Sequence, residues 1–371
     1  MNLLICFGTR PEAIKMAPIC MELNKRKIPF KLCVTGQHKE MLQQVLDFFD
    51  LIPDYDLNVM LPNQSLNTLS SRILVEMDKV FEKEHFDLVL VHGDTTTSTL
   101  VALAAFHRHC KVAHIEAGLR TYNKQSPFPE ELNRQLTARI SDFHFAPTQK
   151  AKNNLLKESV NESSVIVTGN TVIDALHITI NKIENGYSNA FIENLNETIN
   201  FNKRVILVTG HRRESFGSGF KNVCEAILEI SKKHDVEIVY PVHLNPNVQN
   251  VVYKRLAGKD NIHLITPLDY PSFIWLMNKA VLIISDSGGI QEEAPSLNIP
   301  VLVTRETTER EEGVTSGCSI LVGINVNKII HEANRILTAD KVNDKMTNPY
   351  GDGIAAIKIV DFIQNNILIN D

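Results

Sequence analysis

Short, predominantly apolar runs alternate along the chain with longer segments of helical spacing, and nearly every run stops at a polar or glycine-containing turn. Residues 2–7, 30–35, 86–91 and 112–115 have strand length and little alternation, as strands covered on both faces do. Segments 13–26, 36–50 and 66–84, and the one carrying 102–109, repeat apolar positions at helical intervals. Residues 143–146 and 165–168 add two strands and 174–184 a helix, whereas 186–202 is polar, Asn-rich and predicts no element. The pattern then restarts. Strands are predicted at 204–209, 237–241, 262–265, 280–284, 301–304 and 320–322. Helices are predicted at 221–234, 271–278, 326–337 and 354–366, with 305–313 a charged loop or short helix.

Strands that alternate with helices predict parallel, doubly wound sheets, an α/β fold. A chain of 371 residues favours two domains. The restart after residue 170 divides it into two Rossmann-like domains, 1–170 and 171–353, with 354–371 as a C-terminal helix.

Composition narrows the class. Hydrophobic residues make up 43% and charged residues 22%, an ordinary globular balance. A formal net charge of -5 gives no footprint for nucleic acid. Six scattered cysteines without a CxxC pair point to reduced thiols, not to a zinc site or a disulfide framework. The first residues lack the basic region of a signal peptide, and no apolar stretch reaches the ~20 residues of a membrane span. A cytoplasmic protein without a membrane partner is expected.

Chemistry-bearing residues recur where strands end. The strand at 280–284 runs into Ser285-Asp286-Ser287-Gly288-Gly289 and then a helical segment. Unpaired N–H groups at a helix start, with glycines that admit close approach, suit a phosphate. Glu293, expected in the first turn of that helix, would repel a phosphate and is assigned to a diol such as a ribose. His211 and Arg212 follow the strand at 204–209, where a guanidinium can grip phosphate in two-point fashion and an imidazole can donate to it. Phe273 lies on a predicted helix, available to stack on a base. In the first half, three strands run into Arg10, Asp94 and Glu116, and Glu130 follows two prolines at a helix start. Each alone reads as a cap or turn residue, but charged groups collected at the carboxyl edge of one sheet mark a ligand site. Lys15 follows Arg10 by about one helical turn.

Two motifs are rejected. Gly351-Asp352-Gly353-Ile354-Ala355-Ala356 matches a dinucleotide fingerprint but lacks the βαβ unit with its downstream acid, and Gly217-Ser218-Gly219 lacks the third glycine; no GxxxxGK[ST] occurs. No metal-ligand spacing stands out. The residues alone thus predict one half that holds a nucleotide diphosphate and another that supplies carboxylates for proton transfer on the attached group.

FGTRPEAIKMAP, VHGDTTT, HIEAGLRT, PEELNR, TGNTVIDAL, TGHRRESFG, YPVHLNPNV, ISDSGGIQEEAPSL and NPYGDG together resemble the non-hydrolysing bacterial UDP-N-acetylglucosamine 2-epimerases, almost end to end. The resemblance implies a GT-B fold, two Rossmann-like domains facing a cleft, with the C-terminal helix crossing back to the first domain. It implies interconversion of UDP-GlcNAc and UDP-ManNAc by elimination of UDP to 2-acetamidoglucal and re-addition, without cofactor or metal, in a homodimer that supplies cell-surface polysaccharide synthesis. It assigns catalysis to Asp94, Glu116, Glu130 and His211. Substrate contacts fall to Arg10, Lys15, Arg212, His243, Phe273, Ser287, Gly288, Gly289 and Glu293. Allosteric activation by UDP-GlcNAc falls to Gln37, Arg72, Glu131, Arg212 and His243, with Glu40 standing where some relatives carry Gln. The alternatives are a glycosyltransferase of the same fold, a hydrolysing 2-epimerase and a nucleotide-sugar sensor without turnover.

Overall fold

The computed structural model describes residues 2–36, 39–210, 218–339 and 346–367. The chain divides into two compact units, Met1–Ile178 with Tyr350–Asp371, and Thr179–Pro349.

The first unit begins β1 (Leu3–Phe7), α1 (Arg10–Lys25), β2 (Phe30–Val34), α2 (Lys39–Phe48), β3 (Tyr55–Asp56) and α3 (Leu66–Lys83). It continues with β4 (Leu88–His92), α4 (Thr96–His107), β5 (Lys111–Ile115), α5 (Glu130–Ile140), β6 (Phe143–Ala146), α6 (Gln149–Lys157) and β7 (Val165–Val167). These strands form one parallel sheet in the order β3-β2-β1-β4-β5-β6-β7. Strand β1 is fully buried along its length, which is why its sequence shows no alternation. Helix α1 starts three residues earlier than its apolar spacing suggests. Thr9 caps it in a reciprocal box with Glu12, and Pro11 stands in its first turn.

The division between units falls within α7 (Thr171–Glu184). Then follow α8 (Ala190–Thr198), β8 (Arg204–Thr209), α9 (Ser218–Lys233), β9 (Val236–Pro241), α10 (Pro246–Leu256), β10 (Ile262–Ile265), α11 (Tyr270–Lys279), β11 (Ala280–Ser285) and α12 (Gly288–Glu293). After α12 come β12 (Val301–Val303), α13 (Glu311–Thr315), β13 (Ser319–Leu321) and α14 (Val326–Thr338). The second parallel sheet has the order β10-β9-β8-β11-β12-β13. Its core gathers Ile206, Val208, Ile227, Ile238, Tyr240, Leu282 and Ile284.

The polar tract at 186–202 is not structureless. It contains α8, whose buried Ile192 and Leu195 give it an apolar side. Asn189 caps it, accepts from Ser272 Oγ at 3.0 Å and donates to Asp269 Oδ2 at 2.9 Å. The asparagine that suggested a loop is the residue that starts the helix.

The last helix, α15 (Ala355–Asn366), belongs to the first unit, as the expected crossing-back requires. Its Asp361 pairs with Arg26 at 2.6 Å, and Phe362 packs edge-on against Phe143 and Phe145. No helix among the described residues is long and apolar enough to cross a membrane.

Candidate active site

In the first sheet the chain winds outward from β1 to β2 and β3, then returns to β4 on the other side of β1. Neighbouring strands whose connections leave in opposite directions open a crevice at their carboxyl ends. The segments entering it are Gly8-Thr9-Arg10 after β1 and Gly93-Asp94-Thr95 after β4. A Cβ on Gly8 would lie 2.2 Å from Thr35 Oγ1 and 2.7 Å from Thr97 Oγ1, so only glycine lets the turn after β1 pack against the end of β2 and the first turn of α4. Glu12 ties the two segments together. Its Oε2 accepts from the amides of Gly8 and Thr9 at 3.1 and 2.8 Å and from the Thr9 hydroxyl at 2.8 Å, and its Oε1 accepts from Thr95 Oγ1 at 2.7 Å. Burial pushes the Glu12 carboxyl above its usual range, although these bonds oppose the shift.

Asp94 is held from several sides. The Gly93 amide donates to Ile115 O at 2.9 Å, and the Gly93 carbonyl accepts from His114 Nε2 at 2.7 Å. Burial lowers the His114 pKa to about 3, so the ring is neutral and carries its proton on the nitrogen that faces the carbonyl. Asn133 Nδ2 donates to Asp94 O at 2.9 Å. Arg134 grips Asp94 Oδ2 with Nε at 2.9 Å and its second amino group at 2.7 Å.

Glu116 follows β5, the neighbour of β4 in the sheet. Its φ of 62° is left-handed, which a β-carbon makes unfavourable and which persists where surroundings enforce it. Lys15 Nζ reaches both carboxylate oxygens at 2.8 and 2.7 Å. His92, the last residue of β4, is 4% exposed. Its Nε2 lies 2.8 Å from Glu116 Oε2 yet is not aligned for a hydrogen bond. Glu130 is the first residue of α5, and its Oε2 is buried and takes no hydrogen bond from any described residue.

Glu131 is fully buried. It accepts from the amides of Thr121 and Tyr122, from Gln135 and from Arg134, at 2.9 to 3.2 Å. Burial would raise its pKa, but these donors outweigh burial and hold it below the usual carboxylate range. Arg72 donates to the carbonyls of Val59 and Asn58 at 2.8 and 3.2 Å.

The second sheet repeats the device: the chain leaves β8 for β9 and β10 and returns at β11. Thr209 and Ser285 bond through their hydroxyls at 2.7 Å, and Ser285 Oγ accepts the Ser287 amide at 2.9 Å. Ser287 is the N-cap of α12 and uses no side-chain cap bond. Arg310 packs under Gly288, where a Cβ would lie 3.0 Å from the guanidinium carbon. It pairs with the buried Glu292 at 2.8 Å and with Glu309 at 2.6 Å. Burial opposes ionisation of Glu309, but Arg310 and Arg305 override it and draw the pKa to about 2.

One expectation needs correction. Glu293 is the last residue of α12, not a first-turn residue, because the helix opens at Gly288 and tightens into a 3-10 turn at Ala294–Leu297. Glu293 is buried and its Oε1 accepts from Tyr270 OH at 3.0 Å. Phe273, on α11, is half-buried. His243 is exposed and accepts the Asn245 amide at its Nδ1 at 3.1 Å. Arg10 is partly exposed at the start of α1. Gln37, His211 and Arg212 lie outside the described residues.

Sequence reasoning missed Glu12, His92, His114, Asn133 and Arg134. A signal existed for Glu12, since Thr9-x-x-Glu12 is a capping box. The others lack one, because their partners are remote in sequence.

Comparison with known proteins places the whole arrangement. The family model described as UDP-N-acetylglucosamine 2-epimerase matches residues 21–364. The UDP-N-acetylglucosamine 2-epimerase of Salmonella borreze is 52% identical over 97% of this chain and 97% of its own length. That of Yersinia pestis is 51% identical over 99% of each. The crystal structure of UDP-GlcNAc 2-epimerase from Neisseria meningitidis bound to UDP-GlcNAc matches with a TM-score of 0.92 and 50% identity, covering 99% of this chain and 100% of that one. A family model matching most of the chain, relatives of this closeness over the full length and a solved structure of the same fold place the chain in the UDP-N-acetylglucosamine 2-epimerase family.

Proposed function

We propose that the protein interconverts UDP-GlcNAc and UDP-ManNAc by inverting C2 of the sugar. The observation that carries this reading is the set of carboxylates in the first unit. Asp94 and Glu116 leave adjacent parallel strands, each held by its own cation, and Glu130 starts the helix whose Arg134 holds Asp94.

C2 has no adjacent carbonyl, so a carbanion formed there by simple proton removal would be unsupported. Loss of UDP from C1 as H2 leaves avoids it and gives 2-acetamidoglucal. Re-addition of UDP with a proton delivered to the opposite face of C2 completes the inversion. The chemistry asks for a base, an acid and a retained leaving group. Asp94, Glu116 and Glu130 serve the first two needs, and His211 assists the departing phosphate. Ser287, Gly288 and Gly289 hold the diphosphate, Glu293 the ribose and Phe273 the uracil, with Arg10 and Arg212 supporting the phosphates. Lys15 acts here as the counter-cation of Glu116. The enzyme works in the cytoplasm as a homodimer, is activated by UDP-GlcNAc and supplies ManNAc units for surface polysaccharide.

The test is proton NMR of UDP-GlcNAc with the pure protein in D2O. The expected result is loss of the C2 proton signal as UDP-ManNAc forms, and on the order of a hundredfold or greater loss of rate in Asp94→Asn, the scale on which removal of an acid–base group acts. Accumulation of UDP and N-acetylmannosamine would instead make it a hydrolysing enzyme. An unchanged spectrum would overturn the reading and favour a glycosyltransferase that lacks its acceptor.

A further inference from the structure

We propose that Arg134 is the positioning residue of this site, locking the Asp94 carboxylate onto α5, and that Glu131 acts through Arg134 and not by contact with a ligand. The inference rests on the reading of Asp94 given above and adds the machinery that aims it.

Asp94 lies in a turn, where a short side chain has freedom to rotate. Three groups remove that freedom. His114 fixes the carbonyl that precedes Asp94, Asn133 fixes the Asp94 carbonyl itself, and Arg134 fixes the carboxylate. Both Arg134 nitrogens bind the same oxygen, Oδ2. Oδ1 takes no hydrogen bond from any described residue, and the Asp94 side chain is 28% exposed whereas that of Arg134 is 7% exposed. One oxygen is therefore clamped from inside the protein and the other remains for substrate.

The remaining Arg134 amino group donates to Glu131 Oε2 at 3.2 Å. Glu131 in turn collects the amides of Thr121 and Tyr122, in the segment that follows Glu116. With four protein donors and full burial, it has no surface to offer an effector. One turn of α5 thus joins the segment after β4 to the segment after β5, and it also carries Glu130. A lysine at 134 would keep the charge but not the two-nitrogen grip.

The experiment measures kcat and KM separately for epimerisation by Arg134→Gln, Arg134→Lys and Glu131→Gln, with UDP binding by calorimetry and thermal midpoints as the check on folding. Asp94→Asn runs in parallel. Arg134→Gln is expected to lose on the order of 100-fold in kcat, the scale of a small misplacement of a reacting group, with KM and UDP affinity within about threefold of wild type. Arg134→Lys should recover part of that loss, to about 10-fold below wild type. Glu131→Gln should lower kcat by less than Arg134→Gln and leave KM in place. Wild-type kcat in Arg134→Gln or Arg134→Lys, with Asp94→Asn inactive, overturns the inference and leaves the proposed function standing. KM rising in step with the loss of kcat overturns it too, since Arg134 would then contact substrate. Should Arg134→Gln not fold, Arg134→Lys decides alone. Full activity in Asp94→Asn would instead remove the reading beneath the inference.

Discussion

At the scale of single residues, Glu12 shows burial and bonding in opposition. It is 2% exposed, and burial favours its neutral form, yet its oxygens satisfy two amides and two hydroxyls. Glu12→Gln should therefore be tolerated within about 1 kcal/mol, because its amide can donate to Thr95 Oγ1 while its oxygen keeps the Gly8 and Thr9 amides. Glu12→Ala strands all four donors and should cost about 3 kcal/mol in urea unfolding. A glutamine variant as unstable as the alanine variant would show that the charge, not the bonding, is what matters. Asp94 and Glu116 were legible as candidates because each ends an apolar run in a polar turn. Arg134 was not, since its partner Asp94 lies 40 positions away and only the fold brings the two together.

At the scale of elements, parallel buried strands announce themselves as unbroken apolar runs, and both sheets were readable for that reason. Elements made by capping were harder. Helix α8 hides in a tract where asparagine suggests a loop, and α10 starts at Pro246, capped by Asn245. The place of Glu293 depended on where a six-residue helix begins, which spacing alone does not fix. The C-terminal helix α15 depends on Asp174, whose carboxylate accepts the Ala355 and Ala356 amides at 3.2 and 2.9 Å. Burial raises the Asp174 pKa to about 6 from 3.8, against the pull of those amides. A carboxyl raised on folding contributes stability that is fully present below its unfolded pKa and is lost as pH rises through the folded one. The stability of wild type relative to Asp174→Asn should therefore fall between about pH 4 and pH 7, by up to about 3 kcal/mol at 1.4 kcal/mol per pH unit. Urea unfolding of both proteins across that range checks it. Parallel curves would mean that Asp174 does not titrate there.

At the scale of the whole molecule, two α/β units share the same winding, and the proposed reaction would divide its work between them. The carboxylates proposed for acid–base work follow β4 and β5 and open α5 in one unit, and the glycine turn follows β11, at the switch point of the other. Strand order at a switch point is a property of topology, so the sequence could place residues at strand ends without saying which ends adjoin. That division predicts separable defects. Gly288→Ala puts a methyl group against the Arg310 guanidinium, which Glu292 and Glu309 hold in place and which cannot readily retreat. The turn must move instead, carrying the Ser287 and Gly289 backbone with it. UDP binding measured by calorimetry should weaken on the order of 10- to 100-fold, or about 1.4 to 2.8 kcal/mol. Asp94→Asn should bind UDP as wild type does while losing epimerisation. Because a ligand stabilises only the form that binds it, UDP at 100 times its wild-type Kd should add about 2.7 kcal/mol to wild type and to Asp94→Asn, and much less to Gly288→Ala. If Asp94→Asn loses UDP binding as severely as Gly288→Ala, nucleotide recognition extends into the first unit and the division of labour between the two sheets is wrong.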